Sequence, residues 1–482
     1  MDILGYILLV FGIIVAVLLC VILIRTFNFK PKAGVKTDDG EVSFSLDTAV
    51  ENLRTLVRFK TVSFKDSSDE DDAEFEKLIE SLPSLYPNVF KTCTFTKLPD
   101  RALLFKWSGK TKGDPAVLMA HYDVVPVDES GWEKPPFEAI LENGVIWGRG
   151  TLDTKVTFNG ILYSAETLIS EGFVPERDIY FAFSGGEEVN GKGAVNIVDY
   201  FIDNAVTPSM VVDEGGAVVE GVFPGVLAPC GLIGIAEKGM INVEYSCKSA
   251  GGHASAPKPH TPVGKLSRAC CKMENNPFKA HLTKPVAEMF DTLGRHSSFV
   301  FKMIFANLWA FKGVLDIICK KSGGELNALM RTTVAFTQMK GSNAANVIPP
   351  EAKMVSNIRL NPEDTVDSAL EYIKKTVGDS DIEISAINGM NPSPVSRTDC
   401  DAWDKVASAV ASTWKGSIVS PYLMVQCSDS RHYGRISDKV YRFSAMDLTS
   451  EERATIHGHN ERIRVETVGK TVEFYIRLMK TL

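Results

Sequence analysis

No two cysteines in this 482-residue chain have the C-x-x-C spacing of a thiolate metal site. There are nine cysteines, so at least one is unpaired within the chain, and a chain this long needs no disulfide framework to build a core. Disulfide scaffolds and cysteine-ligated zinc are therefore disfavoured. A long basic run is also missing, and the formal charge is −8, which argues against a nucleic-acid partner. No N-glycosylation acceptor occurs, because Asn391 is followed by proline in Asn-Pro-Ser. Internal repeats and low-complexity tracts are absent too. With 45% hydrophobic and 23% charged residues, the composition is that of an ordinary globular chain with room for two or three domains.

Charge is missing in one further place. Ile3 to Ile24 is a run of 22 uncharged, mostly apolar residues, long enough as a helix to span a hydrocarbon core of about 30 Å. It is too long for the apolar region of a signal peptide, no basic residues precede it, and no small-x-small site follows. The expectation is an uncleaved membrane anchor (1–25). Asp2 lies before it, while Arg25, Lys30 and Lys32 follow, so the flanking charges place the large domain in the cytoplasm. Residues 26–45, polar with Gly and Pro, read as a linker.

From residue 46 the pattern changes to strands alternating with helices. "PAVLMAHYDVVPV", "RDIYFAFSG" and "PSMVVDEGG" read as strands, and "TFNGILYSAETLISEG" and "GAVNIVDYFI" as helices. The expected fold class is α/β, with a mainly parallel sheet covered by helices on both faces. Around Glu237 the alternation becomes period two ("MINVEYSCKS", "RTTVAFTQMKGS"), as in half-exposed antiparallel strands. Residues 237–390 are taken as an inserted α+β domain, with the first domain covering 46–236 and 391–482. Inside the insert, Ser298 to Cys319 is unusually apolar but is interrupted by Lys302, Lys312 and Asp316. A core or dimer-packing helix is the favoured reading, with a substrate wall or a membrane-dipping helix as the alternative.

The chemistry sits where these strands end. "HYD" carries His121 and Asp123, "GRGTLDTK" carries Asp153, "GGEE" carries Glu187 and Glu188, and "DEGG" carries Asp213 and Glu214. "IHGHNE" carries His457 and His459. Alone, His121–Asp123 reads as a satisfied core pair and Glu187–Glu188 as a solvated turn. Open α/β sheets, however, gather ligands beyond the carboxyl ends of their strands. So many carboxylates at one edge repel one another unless cations lie between them. Nitrogen and carboxylate donors without thiolate suit two zinc ions, with manganese or cobalt as alternatives. Asp123 is placed to take the second N–H of the His121 imidazole and orient it.

Five such motifs in this order resemble the two-zinc aminoacylase, carboxypeptidase S and glutamate-carboxypeptidase family. The strings "VVPVDESGWEKPPFEAILENGVIWGRGTLD" and "NVIPPEAKMVSNIRLNPEDTV" are similar to its carboxypeptidase S and N-fatty-acyl-amino-acid synthase/hydrolase subgroup. The resemblance implies that His121 and Glu188 are terminal ligands of different zincs and that Asp153 bridges them. His457 joins Glu188, and Asp213 or Glu214 joins His121, while His459 is no ligand. Glu187 is the implied general base, and the insert is an implied lid and homodimerisation domain. Its His253 stabilises the oxyanion, and Asn346 and Arg359 hold the transition state and the substrate carboxylate. Asp429 and Arg431 in "CSDSRHY" are substrate-side candidates. Thr154 departs from the family, which often has an acidic residue or Met there. The implied activity is hydrolysis, or the reverse condensation, of an amide next to a free carboxylate in N-acyl or N-fatty-acyl amino acids. Carboxypeptidase or dipeptidase action on short peptides is the alternative, and an inactive membrane-tethered binding protein is the rival of another class. By resemblance the large domain lies on the lumenal or extracellular side.

Overall fold

The computed structural model describes residues 3–482; Met1 and Asp2, including the acidic residue used in the flanking-charge argument, lie outside the described residues. Twelve strands build the two principal sheets. They are β1 (Thr94–Leu98), β2 (Ala102–Trp107), β3 (Ala116–His121), β4 (Ile179–Ser184), β5 (Met210–Val219), β6 (Cys230–Glu237), β7 (Gly239–Lys248), β8 (Thr333–Lys340), β9 (Glu351–Leu360), β10 (Ile382–Met390), β11 (Ile418–Met424) and β12 (Val440–Leu448).

Eight of them form the large sheet in the order β1-β2-β4-β3-β5-β12-β6-β11. The pairs β3–β4, β3–β5, β5–β12 and β6–β11 are parallel, and β1 and β2 add an antiparallel edge. The central strands are apolar on both sides because both faces are covered. Leu118, Ala120, Phe181 and Phe183 point into the main core, whereas Val117, Met119, Tyr180 and Ala182 belong to a second cluster on the other face. The helices Leu46–Arg58, Lys155–Ser170, Asp401–Thr413 and Val465–Met479 contribute to the first face, and Gly193–Asp203 covers the second. The α/β class read from the sequence is the one observed.

The chain passes from β6 straight into β7, which opens a four-stranded antiparallel sheet ordered β8-β9-β7-β10. The helices Pro262–Asn275 and Val366–Val377 give this sheet a small core of its own, with Leu266, Met273 and Ile373 packed on Ile241 and Val243. Not all of 237–390 shares that core. The helix Lys284–Gly294 packs on the edge strand β11, and Phe290, Leu293, Phe305, Leu315 and Cys319 join the main core instead. The apolar stretch from Ser298 is also two helices rather than one, Phe299–Ala306 and Leu308–Ser322, broken at Asn307. At the other end of the chain, the helix Ile3–Asn28 is long and apolar enough to cross a membrane, and its apolar side chains are exposed.

Candidate metal centre and active site

The register of β3 and β4 sets His121 beside Ser184 at the carboxyl ends of both strands. Chain leaving β4 passes through Gly185 and Gly186 into a short turn that carries Glu187 and Glu188 next to the imidazole. Asp123, wholly buried just past the end of β3, stabilises that turn. Its carboxylate accepts the backbone N–H groups of Glu187 and Glu188, each at 3.2 Å. The Nδ1 of His121 lies 3.1 Å from the Asp123 carbonyl oxygen and 3.4 Å from its carboxylate. Main-chain and side-chain oxygens of one residue therefore orient the ring, and Nε2 is left for a metal.

That Nε2 lies 2.9 Å from Oδ1 of Asp153 and 3.5 Å from Glu214. The other Asp153 oxygen is 3.0 Å from His457 Nε2, which is 3.1 Å from Glu188. Asp153 thus stands between two imidazoles with one oxygen toward each. A tetrahedral ion with bonds of about 2.1 Å holds its donors roughly 3.4 Å apart, so these separations suit cations. Ligand atoms of His121, Glu187 and Glu214 lie within 4.8 Å of one another, as do those of His121, Asp153 and Glu188. Glu188 Oε1 is buried without a hydrogen-bond partner among the described residues, an orphaned acceptor that a cation would satisfy.

Asp213 and Glu214 separate here. The sequence places them at a strand end, but β5 continues to Val219. The pair sits at a bulge, where the register with β12 jumps from Arg442–Asp213 to Phe443–Gly216. Gly215 takes φ +145°, and a Cβ on Gly216 would lie 1.9 Å from the Leu232 carbonyl oxygen, so the bulge depends on both glycines. Glu214 is turned to His121 and joins the group of donors that could hold an ion. Asp213 faces the other way and accepts the Ser430 N–H at 2.9 Å.

Burial dominates the electrostatics. It pushes the Glu187 carboxyl well above its usual range, and the charges of Glu214, Asp429 and Glu188 add to the effect. Glu214 is pushed up to about 8, by burial first and then by Asp153 and Asp213. Hydrogen bonds to Asp153 and Glu188 raise His457 to about 10. Burial also opposes ionisation of Asp153, but hydrogen bonds from both imidazoles hold it below the ordinary carboxylate range. Two cations would remove the repulsion.

Chelation is expected to inactivate the protein, and added zinc, manganese or cobalt to restore it. Asp153→Asn should lower bound metal by elemental analysis, and a normal content would exclude bridging. Stripped of metal, the folded chain holds protons on Glu214 and His457 that the unfolded chain releases earlier, so its stability drops as pH rises. The Glu214 contribution is lost between about pH 4.5 and 8, and the His457 contribution between about 6.5 and 10. Melting temperatures measured at pH 5 and pH 8 should therefore diverge in the metal-free form more than in the loaded form.

Glu461 carries no role in the sequence reading although it ends the "IHGHNE" motif. It is wholly buried, pairs with Arg149 at 2.6 Å and accepts the Leu152 and Asp153 N–H groups at 2.7 and 3.2 Å. Arg149 in turn donates to the Gly458 carbonyl at 2.8 Å. The loops bearing Asp153 and His457 are locked together through this pair. An acid four residues beyond the candidate ligand His457, with an arginine four residues before the candidate bridge Asp153, was the available signal. His459 packs over Gly131 instead of joining the cluster, and the Thr154 hydroxyl donates to Thr157.

The remaining candidates are spread out. Asp429 is buried, its charge acts on Glu187, and its carboxylate accepts from Ser184 and leaves Oδ1 unpartnered. Its carboxyl is pushed up to about 6, chiefly by burial. Arg431 donates to Asn190 at 2.9 Å and keeps a buried, unpartnered Nη1. Arg359, on β9, reaches Cys427 Sγ at 3.4 Å. His253 and Asn346 are exposed on the antiparallel insert, linked through the Ala254 N–H and the Asn346 carbonyl, and neither belongs to the ion-holding groups or lines the cavity beside them. A cavity of about 450 Å³ opens on the His/Asp/Glu cluster. Asp153, Glu187, Glu188, Glu214 and His457 line it together with the apolar Val219, Leu232, Tyr422, Met424, Met446 and Ile456 and the polar Glu325, Gln426, Ser444 and Arg453.

Residues 117–481 match the sequence profile of peptidase family M20/M25/M40. The chain belongs to this family. Among M20/M25/M40 relatives, a probable carboxypeptidase S-like 2 of Dictyostelium discoideum is 34% identical, over 97% of this chain and 92% of its own length. The N-fatty-acyl-amino acid synthase/hydrolase PM20D1 of Xenopus tropicalis is 35% identical, over 96% and 92%. In fold, this M20 chain matches the metallo-carboxypeptidase Sso-CP2 of Sulfolobus solfataricus with a TM-score of 0.66, at 18% identity, over 90% of this chain and 98% of the other. It is an enzyme of the M20 class, a metallopeptidase-type hydrolase whose His/Asp/Glu cluster can hold metal.

Proposed function

We propose that this M20 enzyme is a membrane-anchored two-zinc hydrolase. Its substrate would be an amide bond next to a free carboxylate, in N-acyl and especially N-fatty-acyl amino acids. The observation that carries the reading is the cavity, whose lining combines the Glu187 cluster with apolar side chains such as Leu232, Met424, Met446 and Ile456 that could pack on an acyl chain. The synthase/hydrolase name of the PM20D1 relative supports the same substrate class. Peptide cleavage is the second reading, favoured by the carboxypeptidase S-like name of the Dictyostelium relative.

His121 with Glu214 would hold one zinc and Glu188 with His457 the other, bridged by Asp153. Zinc in that position would polarise the scissile carbonyl and acidify the attacking water. Glu187 would take the proton from that water as the new C–O bond forms. It would then return the proton to the leaving nitrogen as the C–N bond breaks, yielding a carboxylic acid and an amino acid. Its raised pKa, which has burial as its main cause, fits a group that must hold the proton between the two steps. Arg359 would bind the substrate carboxylate through its planar fork, Asn346 would help hold the transition state, and His253 would reach the oxyanion across a dimer. Asp429 and Arg431 would line the substrate side. The 237–390 segment would serve as lid and dimer contact. Anchoring by an uncleaved Ile3–Asn28 helix is supported by Asn307, fully buried against its last turns, where loss of the helix would expose it.

The test compares N-acyl amino acids and dipeptides with their C-terminal amides. A hydrogen bond to a charged group contributes roughly 1.5–3 kcal/mol, so amidation should cost ten- to a hundredfold in kcat/KM. Arg359→Ala should narrow that gap, and Arg359→Lys should not restore it. Equal wild-type turnover of acids and amides would overturn the carboxylate-specific reading.

A further inference from the structure

The helix Leu308–Ser322 is apolar on two sides. Leu315 and Cys319 are buried in the main core, but Trp309, Val314, Ile317 and Ile318 on the outward side are 56, 49, 57 and 45% exposed. The helix before it leaves Phe299, Val300 and Phe301 exposed as well. A contiguous apolar patch of this kind on a water-facing surface marks a docking face.

What covers it follows from its neighbour. The buried Asn307 between the two helices donates its side-chain amide to the Ile22 carbonyl and the Thr26 hydroxyl of the N-terminal helix, both at 3.2 Å. Arg25 donates to the Ala306 carbonyl, and the rings of Phe27 and Phe299 lie 5.7 Å apart. About 20 helical residues cross a hydrocarbon core, and counted from Ile3 that length ends near Ile22, where Asn307 is attached. The exposed patch therefore lies level with the boundary between hydrocarbon and headgroups. Its charges suit that depth. Lys302, Lys312, Lys320 and Lys321 stand within the segment, and its one acid, Asp316, is already paired with Arg331 and Lys320. Lysine stems can lie along lipid while their heads reach phosphate, and tryptophan favours this layer.

We propose that the outward face of Phe299–Ile318 is inserted in the interfacial layer of the same bilayer that the N-terminal helix crosses; this rests on the membrane-anchor reading above. The enzyme then sits on the membrane at two points and has a fixed orientation. Just past this element, Glu325 accepts a hydrogen bond from Tyr422 in the cavity wall at 3.0 Å, so the docked face adjoins the substrate cavity. An amphiphilic substrate can reach that cavity from the leaflet.

Trp309 is the only one of the six tryptophans that is exposed; the others are buried or half-buried. Full-length protein would be reconstituted into phosphatidylcholine/phosphatidylserine vesicles with brominated acyl chains, and both flotation and tryptophan quenching measured. The expected result is flotation with quenching, with most of the quenching lost in Trp309→Phe and in Val314→Glu/Ile317→Glu while flotation is unchanged. Flotation without quenching at Trp309 overturns the docking face and leaves the anchor standing. Failure to float overturns the anchor, and this inference with it. If quenching is absent and Ile317→Glu dissociates a detergent-stable dimer, a second copy covers the face and the lipid assignment is wrong.

Discussion

Glu187→Gln is expected to retain both metals and lose roughly 10²–10⁴-fold in turnover, the usual worth of a positioned acid–base group. The substitution removes the group that takes and returns the proton but keeps its shape. The Glu187 backbone N–H still donates to Asp123, so the turn that holds Glu188 should persist. Metal content by elemental analysis together with kcat separates proton transfer from metal binding. A variant that keeps a substantial fraction of wild-type kcat would remove Glu187 from the reaction. One that loses metal and rate together would make Glu187 a ligand.

The second large effect is expected at Glu461. Glu461→Ala strands the Arg149 guanidinium in the interior and deprives the Leu152 and Asp153 amides of their acceptor. Breaking a buried ion pair by removing one partner typically costs about 3–5 kcal/mol, because an uncompensated charge remains. Because the pair joins the Asp153 loop to the chain after His457, metal content should drop with stability. Glu461→Gln, which can still accept from an amide, should fall between wild type and Ala. An Arg149→Met/Glu461→Leu variant should recover stability, as apolar replacements of buried pairs often do, but not metal. Urea midpoints and metal analysis on these variants decide the matter. A fully metallated Glu461→Ala protein of wild-type stability would show that the pair is dispensable.

Much of the candidate site was legible because its residues stand in short local motifs of the sequence. His121, Asp153, Glu187, Glu188 and His457 each stand at a strand end or in a glycine-flanked loop. The parallel connections that bring such ends to one edge follow from strand–helix alternation. The same pattern gave the α/β class, since continuous apolar strands such as Ala116–His121 require cover on both faces. The distinction between Asp213 and Glu214 was not legible, because a bulge is a property of register between β5 and β12 and both residues look alike in the string.

The role of Glu461 was likewise decided only in three dimensions, because its partner Arg149 lies more than three hundred residues away. So was the fate of the apolar stretch from Ser298 to Cys319. Its composition shows that it must leave water, but which side chains face the core depends on where the break at Asn307 falls and on the neighbouring helix it meets. Periodicity along one chain fixes which residues share a face. What that face meets is set by packing between segments distant in sequence, and only the tertiary structure contains it.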